Sequence, residues 1–473
     1  MFKFFESPKL DSRIKSPDTT KKEMWLGYLV GPGLIITTNA CVMGFINNYY
    51  TDVIQVGYLW GGAFLVLMPI IANIIDAFTN IIMGRLIDST KSRQGKARPW
   101  ILLSAPMLVI SGVLMYVLPK GSDTVKIIWI CFSYVLYDSV AYTVFNMSSM
   151  VTVPLSTANS KQRDKLAMMY NVAMNMISGM FAALLFPMLI MPRLGTDPDK
   201  WLKCMIIISL LCLPAALIQY FYTKERVTEL AREENIDTTV PMKTQLKACW
   251  SSKTWRIAVT FVVCHAVFSA MVVASRLYYA NWVVADSYNE GSSVYSMLNI
   301  IGQSPLGFGI FIVWPLVGKI GKRKCLLVGA ILMGVGSAIG MLGYESYIIA
   351  LVALFIAAIG GLPNTYLTNA LLSDAIDDVS NKAGFRVDGM TMSINSFFGT
   401  VSAGIATGIL NLCLAIGNYQ PPVADADGIV RTVQSPELKF MLAFMVFGVF
   451  IIDAVIEVVL MLKYEEKKPE AAV

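Results

Sequence analysis

Twelve runs of about twenty mainly apolar residues fill most of this 473-residue chain, and no other feature narrows its fold so far. They lie near 24–50, 58–87, 99–118, 126–154, 166–191, 201–222, 254–284, 294–317, 325–343, 346–372, 388–417 and 437–462. A run of that length crosses a bilayer as an α-helix, because in hydrocarbon each backbone N–H and C=O must be bonded within its own segment. The runs are solidly apolar rather than alternating, which excludes a β-barrel. Only 15% of residues are charged and 56% are hydrophobic, so a soluble enzyme or nucleic-acid binder of this size could not cover its surface. The eight cysteines stand singly, none in a C-x-x-C pair, which excludes a disulfide scaffold and reads as packing. The expected fold is all-α, with twelve transmembrane helices.

The basic residues orient these helices. The first 22 or so residues are polar and contain Pro8 and Pro17, with no apolar core of a signal peptide. With the N-terminus inside, 30 of the 38 Lys and Arg fall on the inner side and seven on the outer. Both termini are therefore expected in the cytoplasm, and the chain in the cell membrane. The longest inner loop, 223–253, separates six runs from six. The organisation reads as a cytoplasmic segment 1–23, a bundle 24–222, the central loop, a second bundle 254–463 and a tail 464–473. A weak repeat supports two halves: GRLIDSTKSRQGKARPW follows run 2 and GKIGKRKC follows run 8. Two pseudo-symmetric six-helix bundles around a cleft is the geometry of alternating-access transporters of the major facilitator type.

Ionisable groups within the runs are costly and are candidate functional residues. Asp76 lies 12 residues before Asp88, ~18 Å along a helix, which places it near mid-bilayer. It needs a cation, a proton or an arginine, or else a Thr or Asn partner in a dry bundle. Asp138 lies 14 residues before Thr152, ~21 Å, at a similar depth. It either forms a tier with Asp76 or bonds to Tyr134, Tyr137 or Tyr142. Arg276 is the one Lys or Arg that lies more than two residues from the end of a run. It either snorkels to the interface, pairs with an aspartate or holds an anionic group of a solute. Tyr278, Tyr279 and Trp282 beside it form an interfacial belt or a sugar-stacking surface. His265 reads as a core histidine, since one histidine cannot make a metal site alone. Asp453 and Glu457 share one face of run 12 at i, i+4, with a helix end or an oligomer contact as the plain account. No metal-ligand cluster, nucleophile elbow or phosphate loop is legible, so no enzyme and no cofactor is expected.

NNYYTDV (47–53), DAFTNIIMGRLIDSTKSRQGKARPWIL (76–102) and LLSDAIDDVSNKAGFRVDGM (371–390) make the chain recognisable. They resemble the glycoside–pentoside–hexuronide:cation symporters, of which the melibiose permeases are the best-known members. Gly84, Ser92, Arg93, Gly95, Lys96, Pro99 and Trp100 stand in the register of that family's loop after helix II. The resemblance implies a monomeric secondary transporter that moves a small organic solute with H⁺ or Na⁺ across the lipid bilayer. An uncoupled facilitator or exchanger of the same fold is the alternative.

The same resemblance makes Asp76 the first carboxylate of the cation site and a candidate Na⁺ ligand. Asn80 and Asn146 replace two further carboxylates of the melibiose permeases. An amide offers a carbonyl oxygen to Na⁺ but takes up no proton, so Asp138 is the candidate replacement. Thr400 stands where those permeases place a lysine, and Ile36 stands about where they place a sugar-gripping aspartate. Thr37, Asn39, Arg276, Tyr279 and Thr400 are the expected solute contacts, and galactoside specificity does not carry over. Asp88, Arg93, Asp374, Asp377 and Arg386, at the inner helix ends, are the expected gate.

Overall fold

A computed structural model describes residues 7–227, 241–385, 387–425, 428–430 and 432–464. The chain divides into two compact units, Met1–Asp237 and Thr238–Val473. The first holds α1 (Glu23–Val53), α2 (Val56–Ser89), α3 (Arg98–Leu114), α4 (Asp123–Ser156), α5 (160–194) and α6 (Pro198–Tyr222). The second holds α7 (Lys253–Val284), α8 (288–320), α9 (Lys322–Leu342), α10 (Tyr347–Ala383), α11 (Asp388–Ile416) and α12 (Pro436–Lys463). Among the described residues nine helices are long and apolar enough to cross a membrane. Shorter apolar helices, Arg98–Leu114, Ser178–Leu194 and Phe311–Ile320, lie in α3, α5 and α8.

The helix starts follow local chemistry. Asn159 accepts from the Gln162 N–H ahead of α5, and Asp197 accepts from the Asp199 and Lys200 N–H groups ahead of α6. Ser252 and Ser435 do the same for α7 and α12. Each cap satisfies N–H groups that no helical carbonyl reaches. Large apolar side chains then sort by face. Phe78, Ile81 and Ile82 on α2, Phe311 and Trp314 on α8 and Ile348 on α10 stay exposed, as a lipid-facing surface requires.

Packing repeats between the units. In the first, α1 packs on α5 and α6, α2 on α4, and α3 on α4 and α6. In the second, α7 packs on α11 and α12, α8 on α10, and α9 on α10 and α12. Helices α9 and α10 approach closely, where a Cβ on Gly360 would stand 2.2 Å from the Met333 backbone nitrogen. Two differences from the expectation are local. The α10 helix runs to Ala383, eleven residues past its apolar run, because its last turns are amphipathic and Gly384, with φ +76°, stops it. Between α11 and α12 an antiparallel ribbon pairs Val423–Asp425 with Gly428–Val430, a short loop feature on the all-α fold. All eight cysteines are free and at least partly buried.

Candidate functional site

Asp76 sits on α2 and faces α4. Its Oδ1 accepts from the Thr143 hydroxyl at 2.6 Å, and its Oδ2 accepts from Asn80 Nδ2 at 3.0 Å. Asn80 stands one turn further along the same helix face, and its Nδ2 also reaches the Asp76 carbonyl at 2.9 Å. Both partners are neutral donors, so they stabilise the carboxylate without cancelling its charge. Asp76 is half-buried. Thr143, which sequence reasoning did not single out, is therefore the α4 residue that meets it directly.

Asp138 lies on a widened turn of α4, Leu136–Tyr142, and its carbonyl accepts from the same Thr143 hydroxyl at 3.2 Å. Wide turns of this kind recur at functional positions in helices. Its carboxylate is within electrostatic reach of Asp76, and both act on Tyr134 and Tyr142. Asn146, three residues after Thr143, has a buried Oδ1 with no hydrogen-bond partner. On α1, Thr37 donates back to the Gly33 carbonyl, while Asn39 stands beside the Tyr142 hydroxyl with its own Oδ1 unpartnered. Unsatisfied buried acceptors are costly and rare, and Asn39 and Asn146 each carry one.

The loop between α2 and α3 is held by its own unit. Gly95, with φ +103°, lets the Glu225 carboxylate accept from the Lys96, Ala97 and Arg98 N–H groups at 2.8–3.0 Å. A Cβ at position 95 would stand 2.4 Å from that carboxylate. Arg98 donates to the Tyr220 carbonyl, and Trp100 Nε1 donates to Thr90. Arg93 pairs with Asp11 at 2.8 Å, and Gln94 donates to the same carboxylate. These two bonds hold the Asp11 carboxyl below its ordinary value. Among the other gate candidates, Asp88 and Asp377 are exposed and Asp374 pairs with Lys322 at 2.6 Å. Arg386 lies outside the described residues.

In the second unit Arg276 does not snorkel. It is 6% exposed, its Nη1 donates to Asn299 Oδ1 at 2.5 Å, and its Nε has no partner. Tyr278, Tyr279 and Trp282 form no lipid-facing belt, since all three are buried. They pack edge-on or tilted against Tyr419, Phe447 and Tyr288, and the Tyr279 hydroxyl donates to the Tyr344 carbonyl. Thr400 is half-buried on α11. A cavity of about 150 Å³ is lined by Arg276, Ser269, Thr365 and His265, among others. His265 is not a lone core histidine: Asp453 and Glu457 of α12 converge on its ring, bringing together three ligand-type side chains that the sequence keeps apart.

The sequence profile of the MFS/sugar transport proteins matches residues 27–466. The glucuronide carrier protein homolog of Escherichia coli K12 is 26% identical over 87% of this chain and 86% of its own length. The isoprimeverose transporter of Lactiplantibacillus pentosus is 25% identical over 80% of this chain and 77% of its own. A putative glycoside/cation symporter of Escherichia coli K12 is 24% identical over 83% of each. Among solved structures, a D-xylose-proton symporter superposes with a TM-score of 0.59 at 13% identity, over 94% of this chain and 97% of that one. That likeness concerns the fold.

Proposed function

This chain belongs to the MFS/sugar transport protein family, and from that premise we propose a symporter of glycosides, pentosides or hexuronides, driven by H⁺ or Na⁺ through alternating access. The relatives named as a glucuronide carrier homolog, an isoprimeverose transporter and a glycoside/cation symporter support the solute class and the coupling. The observation that carries the reading is Asp76, a carboxylate inside a membrane helix whose partners are neutral donors. Such a charge stays available for a travelling cation. Na⁺ would be held by the Asp76 carboxylate, with the Thr143 hydroxyl and the free Asn146 oxygen as neutral donors. A proton would reside on Asp76 or Asp138. Arg276 holds an anionic group of the solute through its unpartnered Nε. The protein works as a monomer in the cell membrane; the distribution of Lys and Arg supports both termini in the cytoplasm.

Coupling is reciprocal: the ion raises solute affinity by the factor by which solute raises ion affinity. The test is uptake of labelled glycosides, pentosides and hexuronides into vesicles under an imposed proton or sodium gradient. Wild type accumulates solute against its gradient, and Asp76→Asn and Asp138→Asn do not. Equilibration without accumulation in wild type would favour the facilitator reading, which Asn80, Asn146 and Thr400 motivate.

A further inference from the structure

His265 on α7 places Nδ1 2.9 Å from Asp453 Oδ2 and 3.1 Å from Glu457 Oε1. Asn364 on α10 closes the group: its Nδ2 donates to Glu457 Oε1 at 2.6 Å and lies 3.1 Å from the same ring nitrogen. Across the ring, Nε2 faces the Ser269 hydroxyl at 3.3 Å. Asp453 and Glu457 are fully buried, yet Asp453 Oδ1 and Glu457 Oε2 have no hydrogen-bond partner. Cys264, beside His265, is the other titratable side chain that senses both carboxylates. From α8, α9 and α11 no charged side chain reaches the cluster among the described residues.

Charge and geometry together constrain what this cluster does. Nδ1 serves two carboxylates only as an N–H donor. Even with both ring nitrogens protonated, two carboxylates leave the group at −1, and an uncompensated buried charge is strongly disfavoured. One further cation restores neutrality. A proton fits: the three side chains are already at hydrogen-bond distance, and two free carboxylate oxygens are ready to receive it. A metal ion would have to displace the Nδ1 proton and break both ring contacts. The site also has a route of exchange. His265, Ser269, Val272 and Arg276 lie at i, i+4, i+7 and i+11 on one stripe of α7, and all line the same cavity.

We propose that His265, Asp453 and Glu457 form a proton-binding site of the C-terminal unit that, on losing its negative charge, favours an anionic solute at Arg276. The proton enters from the cavity through His265, the member of the cluster that lines it, and is shared with Asp453 and Glu457, taking the cluster from −1 to neutral, and leaves by the same path. Three helical turns separate His265 from Arg276, ~16 Å, so removing one negative charge strengthens anion binding about fivefold at an effective dielectric constant near 20. This second effect rests on the transport reading above; the proton site itself does not.

His265 is the chain's one histidine, so full-length protein with ¹⁵N-labelled histidine and no histidine tag gives a single imidazole spectrum in lipid nanodiscs. The ring signal is expected to pass through a titration step between about pH 5 and 9, and Glu457→Gln shifts its midpoint by about one unit or more. A wild-type signal unchanged over that range, in protein with intact helical content, overturns the proton site. So does stoichiometric binding of Zn²⁺ to wild type that His265→Asn abolishes, since the group would then be a metal site. Binding of glucuronate, with neutral glucose as control, tests the coupling: it is about fivefold tighter at acid pH in wild type, and the pH effect is lost in Glu457→Gln. A normal titration step without any glucuronate binding would overturn the solute assignment and leave the proton site standing.

Discussion

Asp76 in the first unit and Asp453 in the second are both aspartates on membrane helices, but their partners differ in kind. Asp76 has a hydroxyl and an amide and is half-buried. Asp453 has an imidazole, a second carboxylate one turn away and no exposure at all. Neutral donors stabilise a charge and leave it uncancelled, whereas a histidine can cancel it. The helix pairs also differ. Asp76 joins α2 to α4, whose counterpart in the packing repeat is α8 with α10, and the apolar run 294–317 of α8 carries no acid. The α7–α12 pair that holds the cluster corresponds to α1–α6, where Thr38 donates to the Ile208 carbonyl. The two halves repeat a scaffold, then, and place their charges at different positions on it.

That contrast breaks first on stability. Truncating Asp453 to Ala takes from the His265 ring one of its two buried carboxylate partners, and the expected loss is roughly 3–5 kcal/mol. Asp76→Ala leaves Thr143 and Asn80 beside space that water can reach, and costs about 1 kcal/mol. Unfolding midpoints in detergent compare the two, and equal losses would erase the distinction. Asp76→Asn reverses the ranking for transport: gradient-driven accumulation falls roughly 100-fold, while unfolding barely moves. Thr143→Val sharpens the point with a smaller effect. It removes one donor to the carboxylate and keeps the volume, so the cation concentration for half-maximal uptake shifts by about tenfold. No shift would remove Thr143 from the ion site.

What the sequence discloses follows the same divide. The apolar runs locate most helix ends among the described residues to within about six residues, because lipid enforces length and polarity segment by segment. Boundaries slip where that rule stops applying, as in the amphipathic end of α10. Asp76 stands out because an isolated acid in an apolar run is conspicuous, while its partner Thr143 is one hydroxyl among many. The His265 cluster was illegible for a different reason. Its members lie 188 residues apart, and only the i, i+4 spacing of Asp453 and Glu457 hinted at a shared face. Arg276 was visible, but its burial was not, since snorkelling and pairing leave the same trace in a sequence.

The smallest expected effect lies outside the membrane helices, at Asp11 and Arg93. Both are substantially exposed, so solvent screens the pair and its removal has little effect on stability. Its pH dependence still has a definite sign. Arg93 and Gln94 hold the folded Asp11 carboxyl below its ordinary value, so the unfolded segment binds a proton more readily than the folded one. The contribution is therefore present above the unfolded value, about 3.9, and is lost as pH falls through the folded one. Residues 7–18 should become more sensitive to an acid-active protease below about pH 4, and Asp11→Asn should show that sensitivity already at neutral pH. Unlike the buried cluster, this pair should also weaken as salt is raised, since surface charges are screened within about 10 Å at 0.1 M. Cleavage indifferent to both acid and salt would mean that the segment is held by its backbone contacts, such as the Arg13 N–H to the Phe221 carbonyl, rather than by the ion pair.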